Sequence, residues 1–288
     1  MRYKYAIITA VRDEEKYIES TIQSILEQTV LPTEWILVDD GSSDRTGSII
    51  DKYASTVPWI KAQHRVNRGF RMSGAGVVDA FNEGYAELSR RDWDFLVKLD
   101  GDLSFSADYF EKCFEHFDAE PKLGIGGGEI YHMLGGEQRL EGNPRFHVRG
   151  ATKIYRKACW EQIGGLHAVP GWDAIDELHA NMLGWSTRSF PDLRLIHHRY
   201  TGTGDTTWRE SVKCGRGAYA SGYHPLYMVL RCIYNLFRRP YVVGSVGMFY
   251  GFLTGYFKHA PRITNPQLIR YVRSQQIARL CGRETIWK

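Results

Sequence analysis

Two aspartates with one glycine between them, Asp100 and Asp102, follow the apolar segment "FLVKL". A carboxylate beside such a segment is costly to bury unless a cation or hydrogen bonds replace its hydration. Two carboxylates at positions i and i+2 can bend around one ion, and hard divalent cations prefer oxygen ligands. Mg²⁺ is commonly held by one or two carboxylates and by substrate phosphates. The pair therefore favours a metal-bound diphosphate, with a solvated turn as the alternative.

A second acidic cluster lies in "VDDGSSDRT", residues 38–46. Ser43 or Asp44 is a suitable cap for the helix that we expect to follow. Capping does not explain Asp39, whose carboxylate could accept hydrogen bonds from a base N–H or a ribose hydroxyl. The sequence has neither the P-loop pattern nor a G-x-G-x-x-G after a strand, so a bound diphosphate would need a metal to neutralise it.

Alternating strands and helices must position these clusters. Residue patterns predict strands at 5–11, 34–40, 58–64 and 92–100, and helices at 13–28, from 43 or 44, and at 73–88. This alternation predicts a parallel sheet with helices on both faces, and ligands bind such sheets at the carboxyl ends of the strands. The polar residues at 11–13, 39–40 and 100–102 should therefore meet at one crevice.

The pattern changes after Ser106. We expect a helix at 106–118, strands and hairpins within 123–160, and a helix at 172–185. Residues 186–199 predict two short strands or one strand broken at Pro191. From Trp208 onward the chain reads as helical and is rich in aromatic residues and arginine.

Charge is unevenly distributed along the 288 residues. Residues 199–288 carry 14 Lys and Arg against 3 Asp and Glu, whereas the rest carries 23 against 30. The basic C-terminal part predicts contact with something anionic, and the lack of a nucleic-acid recognition pattern favours an anionic membrane over nucleic acid. Within it, the apolar segment 226–263 predicts either a helix lying in the membrane interface or helices packed on the rest of the protein.

Other bulk features narrow the class of protein. The five cysteines are scattered, without a C-x-x-C pair, which favours a reducing cytoplasm over a disulfide framework. The N-terminal residues read as a first strand and not as a signal peptide. The most apolar stretch, 241–257, is interrupted by four glycines and does not predict a membrane-spanning helix.

Three ordered motifs, "IITAVRDEEKYIESTIQSILEQT", "WILVDDGSSDRT" and "LVKLDGD", resemble those of the family 2 glycosyltransferases. The resemblance covers about residues 3–200 and implies an α/β GT-A fold, a Rossmann-like central mixed sheet flanked by helices. It implies a catalytic domain over 1–200, with a nucleotide-binding half at 1–104 and an acceptor half at 105–200. Residues 201–288 would then form a helical C-terminal extension.

The resemblance also assigns site residues. Donor contacts are expected from Val11, Arg12, Glu14, Asp39, Arg71 and Asp100. A divalent metal, Mg²⁺ or Mn²⁺, is expected on Asp102 and Asp100, with His198 or the neighbouring His197 completing the site; ordinary histidines are the alternative. Asp102 is the better candidate for the metal and Asp100 for the ribose or a water of the ion.

Inverting transfer needs a general base that takes the proton of the acceptor hydroxyl. Aligning "GWDAIDELHANMLGW" on its closing Gly-Trp places Asp173 at the base position of the family, where Trp172 replaces the usual preceding acid. Asp176 is the second candidate. As alternatives, Asp173 could only cap the helix, and Asp176 and Glu177 could be solvated helix residues.

The expected activity is therefore transfer of a sugar, with inversion, from a nucleotide-sugar to a saccharide or lipid-linked acceptor. UDP-sugars are favoured as donors, and the role expected is synthesis of a cell-surface or extracellular polysaccharide at the inner face of the cell membrane. A polyprenyl-phosphate sugar synthase is the nearest alternative, since its phosphate acceptor needs no base. A sugar-phosphate nucleotidyltransferase would need a Gly- and Arg-rich loop after the first strand, which "TAVRDEE" is not; a non-catalytic nucleotide- or glycan-binding protein is a third alternative.

Overall fold

Four parallel strands form the first half of the sheet. The computed structural model describes residues 3–70, 74–134, 137–142, 144–199 and 206–287. The strands are β1 (Tyr5–Val11), β2 (Glu34–Asp39), β3 (Ile60–His64) and β4 (Phe95–Leu99). They lie in the order β3-β2-β1-β4 and every neighbouring pair is parallel. The predicted parallel arrangement is thus confirmed, with three of the strands shorter than expected.

Helices cover both faces of these strands. They are α1 (Ile18–Leu26), α2 (Thr46–Ala54) and α3 (Ala75–Ala86). Successive strand residues point to opposite faces, so Ile7 packs in one apolar cluster with α1 and α2, while Ile8 packs in another with α3. The first two helices begin later than predicted. Before α1, the chain first passes through a left-handed conformation at Asp13, with φ 56°.

The second half adds antiparallel strand pairs and one parallel pair, β6 with β9. Its elements are β5 (Leu103–Phe105), α4 (Tyr109–Ala119), β6 (Leu123–Leu134), β7 (Glu137–Leu140), β8 (Thr152–Arg156), α5 (Lys157–Ile163), α6 (Trp172–Met182) and β9 (Ser186–His197). In the described residues the full order is β3-β2-β1-β4-β8-β6-β9-β5, with β7 paired to β6. β4 and β8 are antiparallel, which makes the sheet mixed. β9 is a single strand whose register with β6 shifts at the segment containing Pro191, as expected for a residue that cannot donate to the ladder.

Four helices form the C-terminal part: α7 (Thr207–Ala220), α8 (Pro225–Asn235), α9 (Tyr241–Phe257) and α10 (Pro266–Leu280). α7 and α9 approach closely because glycines of each helix lie against the backbone of the other. A Cβ on Gly251 would lie 2.2 Å from the carbonyl oxygen of Val212. In the part of the chain described, no helix combines the length and apolar character needed to cross a membrane. α10 packs on α6, and the division of the chain at residue 200 stays a prediction.

Candidate active site

The three polar clusters meet at the carboxyl edge of the sheet. Val11 at the end of β1 is paired with Asp39 at the end of β2, and its carbonyl accepts a 2.8 Å hydrogen bond from the amide of Asp40. On the other side, a Cβ added to Gly101 would lie 2.4 Å from Cγ1 of Val11. The residue between Asp100 and Asp102 must therefore be small for the loop to pack against β1. The convergence expected from the strand pattern is confirmed.

Asp102 is buried beside the imidazole of His197, at the end of β9, and the guanidinium of Arg199, just after it. Its Oδ2 lies 3.2 Å from Nε2 of His197 and 3.8 Å from Nε of Arg199. Burial opposes the charge of the Asp102 carboxylate, but His197 and Arg199 outweigh burial and lower its pKa. Burial likewise opposes the charged imidazolium of His197, yet Asp102 raises the pKa of that histidine.

His198 points away from this pair. Its Nε2 lies 2.9 Å from the hydroxyl of Ser104, and its ring stacks on Tyr17 with centroids 6.0 Å apart. Burial lowers the pKa of the His198 imidazole. Only its backbone amide reaches Asp102, through a 2.9 Å hydrogen bond to the carbonyl oxygen. Of the two neighbouring histidines, the structure thus brings the side chain of His197 to the aspartate pair.

The carboxylate of Asp100 is paired with the buried ammonium of Lys98. Lys98 also donates a 2.5 Å hydrogen bond to the carbonyl oxygen of Gly150, in the loop before β8. The pKa of Asp100 is raised because burial disfavours its charge and Asp102 lies nearby, against the attraction of Lys98. The Asp100 side chain keeps 32% of its surface exposed, so it can still reach a ligand in the crevice.

The donor atoms at this edge suit a divalent cation. Two neighbouring oxygen or nitrogen ligands of an octahedral Mg²⁺ or Mn²⁺ are about 3 Å apart when each bond is about 2.1 Å long. Oδ2 of Asp102 and Nε2 of His197, at 3.2 Å, match that spacing. His197 also belongs to a second group: His132, Glu141 and His197 have potential ligand atoms within 4.8 Å of one another. His197 therefore lies between two sets of side chains that could ligate a metal.

Asp39 and Asp40 occupy the other side of the crevice. Asp39 accepts a hydrogen bond of 2.9 Å from the amide of Ser42 and lies 3.1 Å from Nδ1 of His64. Asp40 is buried and paired with two arginines. Its Oδ1 lies 2.5 Å from Nη1 of Arg65, and its Oδ2 is paired with Arg68. Asp40 is therefore neutralised within the protein, whereas the Asp39 carboxylate has a histidine and one amide as its hydrogen-bond partners among the residues that the structure describes.

Two residues of the first loop brace the crevice. Arg12 donates hydrogen bonds of 2.8 Å to the carbonyl oxygen of Asp40 and to the side chain of Asn67. Glu14 is buried, its amide donates a 2.7 Å hydrogen bond to the hydroxyl oxygen of Thr46, and its carboxylate is paired with Arg199. Arg199 thus links the first loop to Asp102. Arg71, the remaining predicted donor contact, lies outside the described residues.

Asp173 lies in the first turn of α6, next to the loop before β8. A Cβ added to Gly150 would be 3.1 Å from Cβ of Asp173, so the base candidate adjoins the loop that Lys98 contacts. The N-cap of α6 is Gly171, which has no side chain to cap the helix, and Asp173 is the acidic residue of the first turn. The Asp173 side chain is half-buried, and its charge at this position also suits the helix dipole.

Asp176 and Glu177, offered as solvated helix residues in one interpretation, are instead fully buried. Lys153 of β8 lies 2.8 Å from Asp176 and 2.9 Å from Glu177. Tyr155 donates a 2.6 Å hydrogen bond to Asp176, and burial raises the pKa of Asp176 to about 6. The solvated interpretation is wrong because residues 176 and 177 of α6 face the sheet, where Lys153 supplies the compensating charge. Enclosed in this way, Asp176 does not face the crevice as Asp173 does.

A mixed sheet with this strand order and an acidic carboxyl edge defines an α/β protein of the GT-A class. The model of the family described as "Glycosyl transferase family 2" matches residues 6–166, more than half of the chain. The chain belongs to glycosyl transferase family 2. The predicted family and fold class are confirmed.

Curated relatives match part of the chain. The poly-beta-1,6-N-acetyl-D-glucosamine synthase of Staphylococcus aureus (strain COL) is 30% identical over 150 residues, covering 52% of this chain and 30% of that protein. The uncharacterized glycosyltransferase EpsJ of Bacillus subtilis (strain 168) is 31% identical over 126 residues, covering 44% and 33%. The aligned part spans about a third of the length of these relatives.

Solved structures share the fold at low sequence identity. The mannosyltransferase PcManGT from Pyrobaculum calidifontis, in complex with GDP-Man and Mn²⁺, has a TM-score of 0.59 at 15% identity, covering 99% of this chain and 77% of that one. S. aureus TarS 1–349 has a TM-score of 0.54 at 17% identity, covering 89% and 72%. Because both are below 25% identical, they support the fold alone.

Sequence reasoning did not identify Lys98, Arg199 or Lys153 as parts of the site. The sequence could have indicated Lys98, since a lysine inside a buried strand needs a counter-charge and Asp100 lies two residues away on the same side. Lys153 within "TKIYR" carried the same signal. Arg199 carried none, because its contacts with Glu14 and Asp102 join parts of the chain far apart in sequence.

Proposed function

We propose that this glycosyltransferase moves a sugar from a nucleotide-diphosphate sugar, with UDP-sugars favoured, to a saccharide or lipid-linked acceptor with inversion. The observation that carries the proposal is the 3.2 Å pairing of Asp102 with His197 at the carboxyl edge of the sheet, beside Asp100. The complexes of structural relatives with GDP-Man and Mn²⁺, and with UDP-GlcNAc, support a nucleotide-sugar as donor.

The donor would lie along the carboxyl ends of β1, β2 and β4. Asp39, whose polar partners include a single histidine, would bind the base or ribose, and Val11 with the braced Arg12 and Glu14 would frame the nucleotide. Asp100 would contact the ribose or a water bound to the ion. A divalent cation on Asp102 and His197 would supply the positive charge that a diphosphate leaving group needs.

The acceptor would enter from the side of α6. Asp173 is proposed as the group that takes the proton of the acceptor hydroxyl, since it is the half-buried carboxylate of α6 beside the Gly150 loop. The likeness to a polysaccharide synthase and to EpsJ supports a role in making a cell-surface or extracellular polysaccharide, and we place this role at the inner face of the cell membrane.

Hydrolysis of a panel of nucleotide-sugars, measured with Mn²⁺ and with EDTA, tests the donor half of the proposal. We expect turnover of a UDP-sugar that EDTA abolishes and that Asp102→Asn lowers at least about a hundredfold, because the ion loses a charged ligand. Asp108→Asn, at an exposed carboxylate paired with Lys112, is the control and should retain activity. No turnover or transfer with any nucleotide-sugar would instead favour a non-catalytic binding protein.

Transfer by Asp173→Asn separates the two acceptor classes. A hydroxyl acceptor requires a base, and its loss should lower the transfer rate by about 10²–10⁴-fold with little change in donor binding. A phosphate acceptor is already ionised. Undiminished transfer by Asp173→Asn would therefore reject the base assignment and favour a polyprenyl-phosphate sugar synthase.

A further inference from the structure

α9 is apolar around its whole circumference, which is unusual for a helix with an exposed side. None of its 17 residues is charged. One face carries buried glycines and packs on α7; a Cβ on Gly247, for example, would lie 2.9 Å from Cβ of Ser211. Much of the rest of the helix exposes large residues to solvent, among them Val242, Val243, Val246, Phe249, Tyr250 and Phe257. A helix of this kind is normally covered by protein or lipid on every side.

α8 continues the exposed apolar surface. It begins at Pro225, packs through Met228 and Cys232, and exposes the other side of the helix. The exposed residues are Leu226, Val229, Leu230, Ile233 and Tyr234. An apolar groove lined by Val229, Ile233, Leu236, Val246 and Phe249 joins α8 to α9. Together α8, α9 and the turn 236–240 form one surface, called the α8–α9 hairpin below.

The charged residues of the hairpin and of the chain on both sides of it have one sign. Residues 211–283 contain 11 Lys and Arg and no Asp or Glu. Arg231, Arg238 and Arg239 lie on the hairpin and are exposed, and the guanidinium of Arg238 lies 4.4 Å over the ring of Tyr234. An apolar surface edged by arginines and aromatic rings is typical of helices that lie at a membrane surface.

We propose that the α8–α9 hairpin docks into the interface of an anionic lipid bilayer. A second copy of the chain is a poorer occupant, because two copies would bring hairpins that carry arginines and no acidic residue against each other. An anionic bilayer supplies both the apolar cover and the opposite charge. α9 lies along the bilayer and does not cross it, in keeping with the absence of a spanning helix from the residues described.

Docking has a consequence for catalysis that rests on the proposed function. α7, which supports α9, contacts the start of α6: a Cβ on Gly171 would lie 3.2 Å from Cα of Gly217. Asp173 is two residues further along α6. A bilayer under the hairpin would therefore lie on the acceptor side of the protein, which favours a lipid-linked acceptor over a free saccharide.

Co-sedimentation with vesicles, in the absence of nucleotide, tests the surface separately from the activity. Vesicles of phosphatidylcholine with phosphatidylglycerol should bind the protein, and vesicles of phosphatidylcholine alone should bind it much less. Leu230→Glu should lower the partition coefficient at least about tenfold, because it places a charge on the apolar face. Leu183→Glu is the matched control: Leu183 is 42% exposed, against 40% for Leu230, but lies at the end of α6.

The charged part of the surface is tested by the double variant Arg238→Gln with Arg239→Gln. Removing two arginines near an anionic surface should lower the partition coefficient about thirtyfold, and added salt should narrow this difference. Failure of the unmodified protein to bind anionic vesicles, or equal losses for Leu230→Glu and Leu183→Glu, would overturn the proposal. A dimer in sedimentation that Leu230→Glu dissociates, without vesicle binding, would instead identify a second copy as the cover. Donor turnover by Leu230→Glu should stay unchanged in every case.

Discussion

Two acidic pairs lie beside buried lysines in this protein, yet their surroundings differ. Asp100 and Asp102, the crevice pair, lie near Lys98; Asp176 and Glu177, the buried pair, lie near Lys153. Both lysine ammonium groups face the same ring, that of Trp172, at 5.4 and 5.8 Å. The two pairs thus share residue types, a counter-charge and a neighbouring aromatic residue.

The difference is in how many of the carboxylate oxygens are already bonded. In the buried pair, Lys153 and Tyr155 bond both oxygens of Asp176, and the amide of Val148 and the ring of His147 bond those of Glu177. The crevice pair keeps Asp100 partly exposed. Equivalent chemistry therefore supports a structural role where every oxygen is used and a binding role where a ligand can still enter.

The largest expected effect is on stability, from removing the lysine of the buried pair. Lys153→Met leaves two carboxylates buried without their cation, which should lower the free energy of unfolding by about 3–5 kcal/mol. Lys98→Met should cost less, about 1–2 kcal/mol, because Asp100 can be hydrated in the crevice. Urea denaturation of both variants measures the difference.

Equal losses of unfolding free energy in the two lysine variants would contradict this difference, since they would mean that the crevice pair is as enclosed as the buried pair. Lys153→Met changes packing as well as charge, because methionine is shorter than lysine. Lys153→Arg is the control for charge, and it should recover part of the stability that Lys153→Met loses.

The next effect is on metal-dependent binding at the crevice pair. His197→Ala should weaken UDP binding in Mn²⁺ by about 10–100-fold, because it removes the imidazole placed beside Asp102. His198→Ala, whose ring bonds Ser104 instead, should change UDP binding less than about twofold. Calorimetry with Mn²⁺ measures both affinities.

The same titrations in EDTA separate a metal ligand from a direct contact with the nucleotide. A ligand acts only through the ion, so the affinities of His197→Ala and the unmodified protein should be alike in EDTA. Losses of equal size with and without Mn²⁺ would show that His197 does not act through a metal. If His198→Ala weakened UDP binding in Mn²⁺ more than His197→Ala, His198 would instead be the metal ligand.

Much of the fold could be predicted because its signals are local. The first four strands are short apolar runs, and the ends of parallel strands share one edge, so Asp39, Asp100 and Asp102 could be placed together from the sequence. Glu34–Asp39 and Phe95–Leu99 lie within the predicted strands. The start of α5 at Lys157 was missed, because "KACW" has no distinctive helical period in so short a segment.

Contacts made by the second half could not be predicted, because they depend on the pairing of distant strands. His197 and His198 are adjacent in sequence, and only the pairing of His197 with Leu103 in β5 determines which ring faces Asp102. Asp176 and Glu177 read as surface residues until Lys153 is placed opposite them in β8. A buried lysine is therefore the sequence feature that could have pointed to both acidic pairs.

The smallest effect is a pH dependence from His147, which borders the buried pair. Burial opposes the charge on His147, but Glu177, 2.8 Å away, outweighs burial and raises the pKa of the imidazole above 6.5. A raised pKa in the folded state means that the proton stabilises the fold. This contribution is complete below pH 6.5 and is lost as the pH rises through the raised pKa.

Between about pH 6 and pH 8 the free energy of unfolding should therefore fall less in His147→Gln than in the unmodified protein. The expected difference is on the order of 1 kcal/mol, as for a single hydrogen bond. His64 is the matched control on the crevice side: Asp51 and Asp39 raise the pKa of its imidazole, but its side chain is 44% exposed, so solvent should screen the effect. Urea denaturation at the two pH values gives both differences. If His64→Gln reduced the pH dependence of the unfolding free energy as much as His147→Gln, burial would not strengthen the pairing of His147 with Glu177. The difference between the buried pair and the crevice pair would then not extend to their histidines.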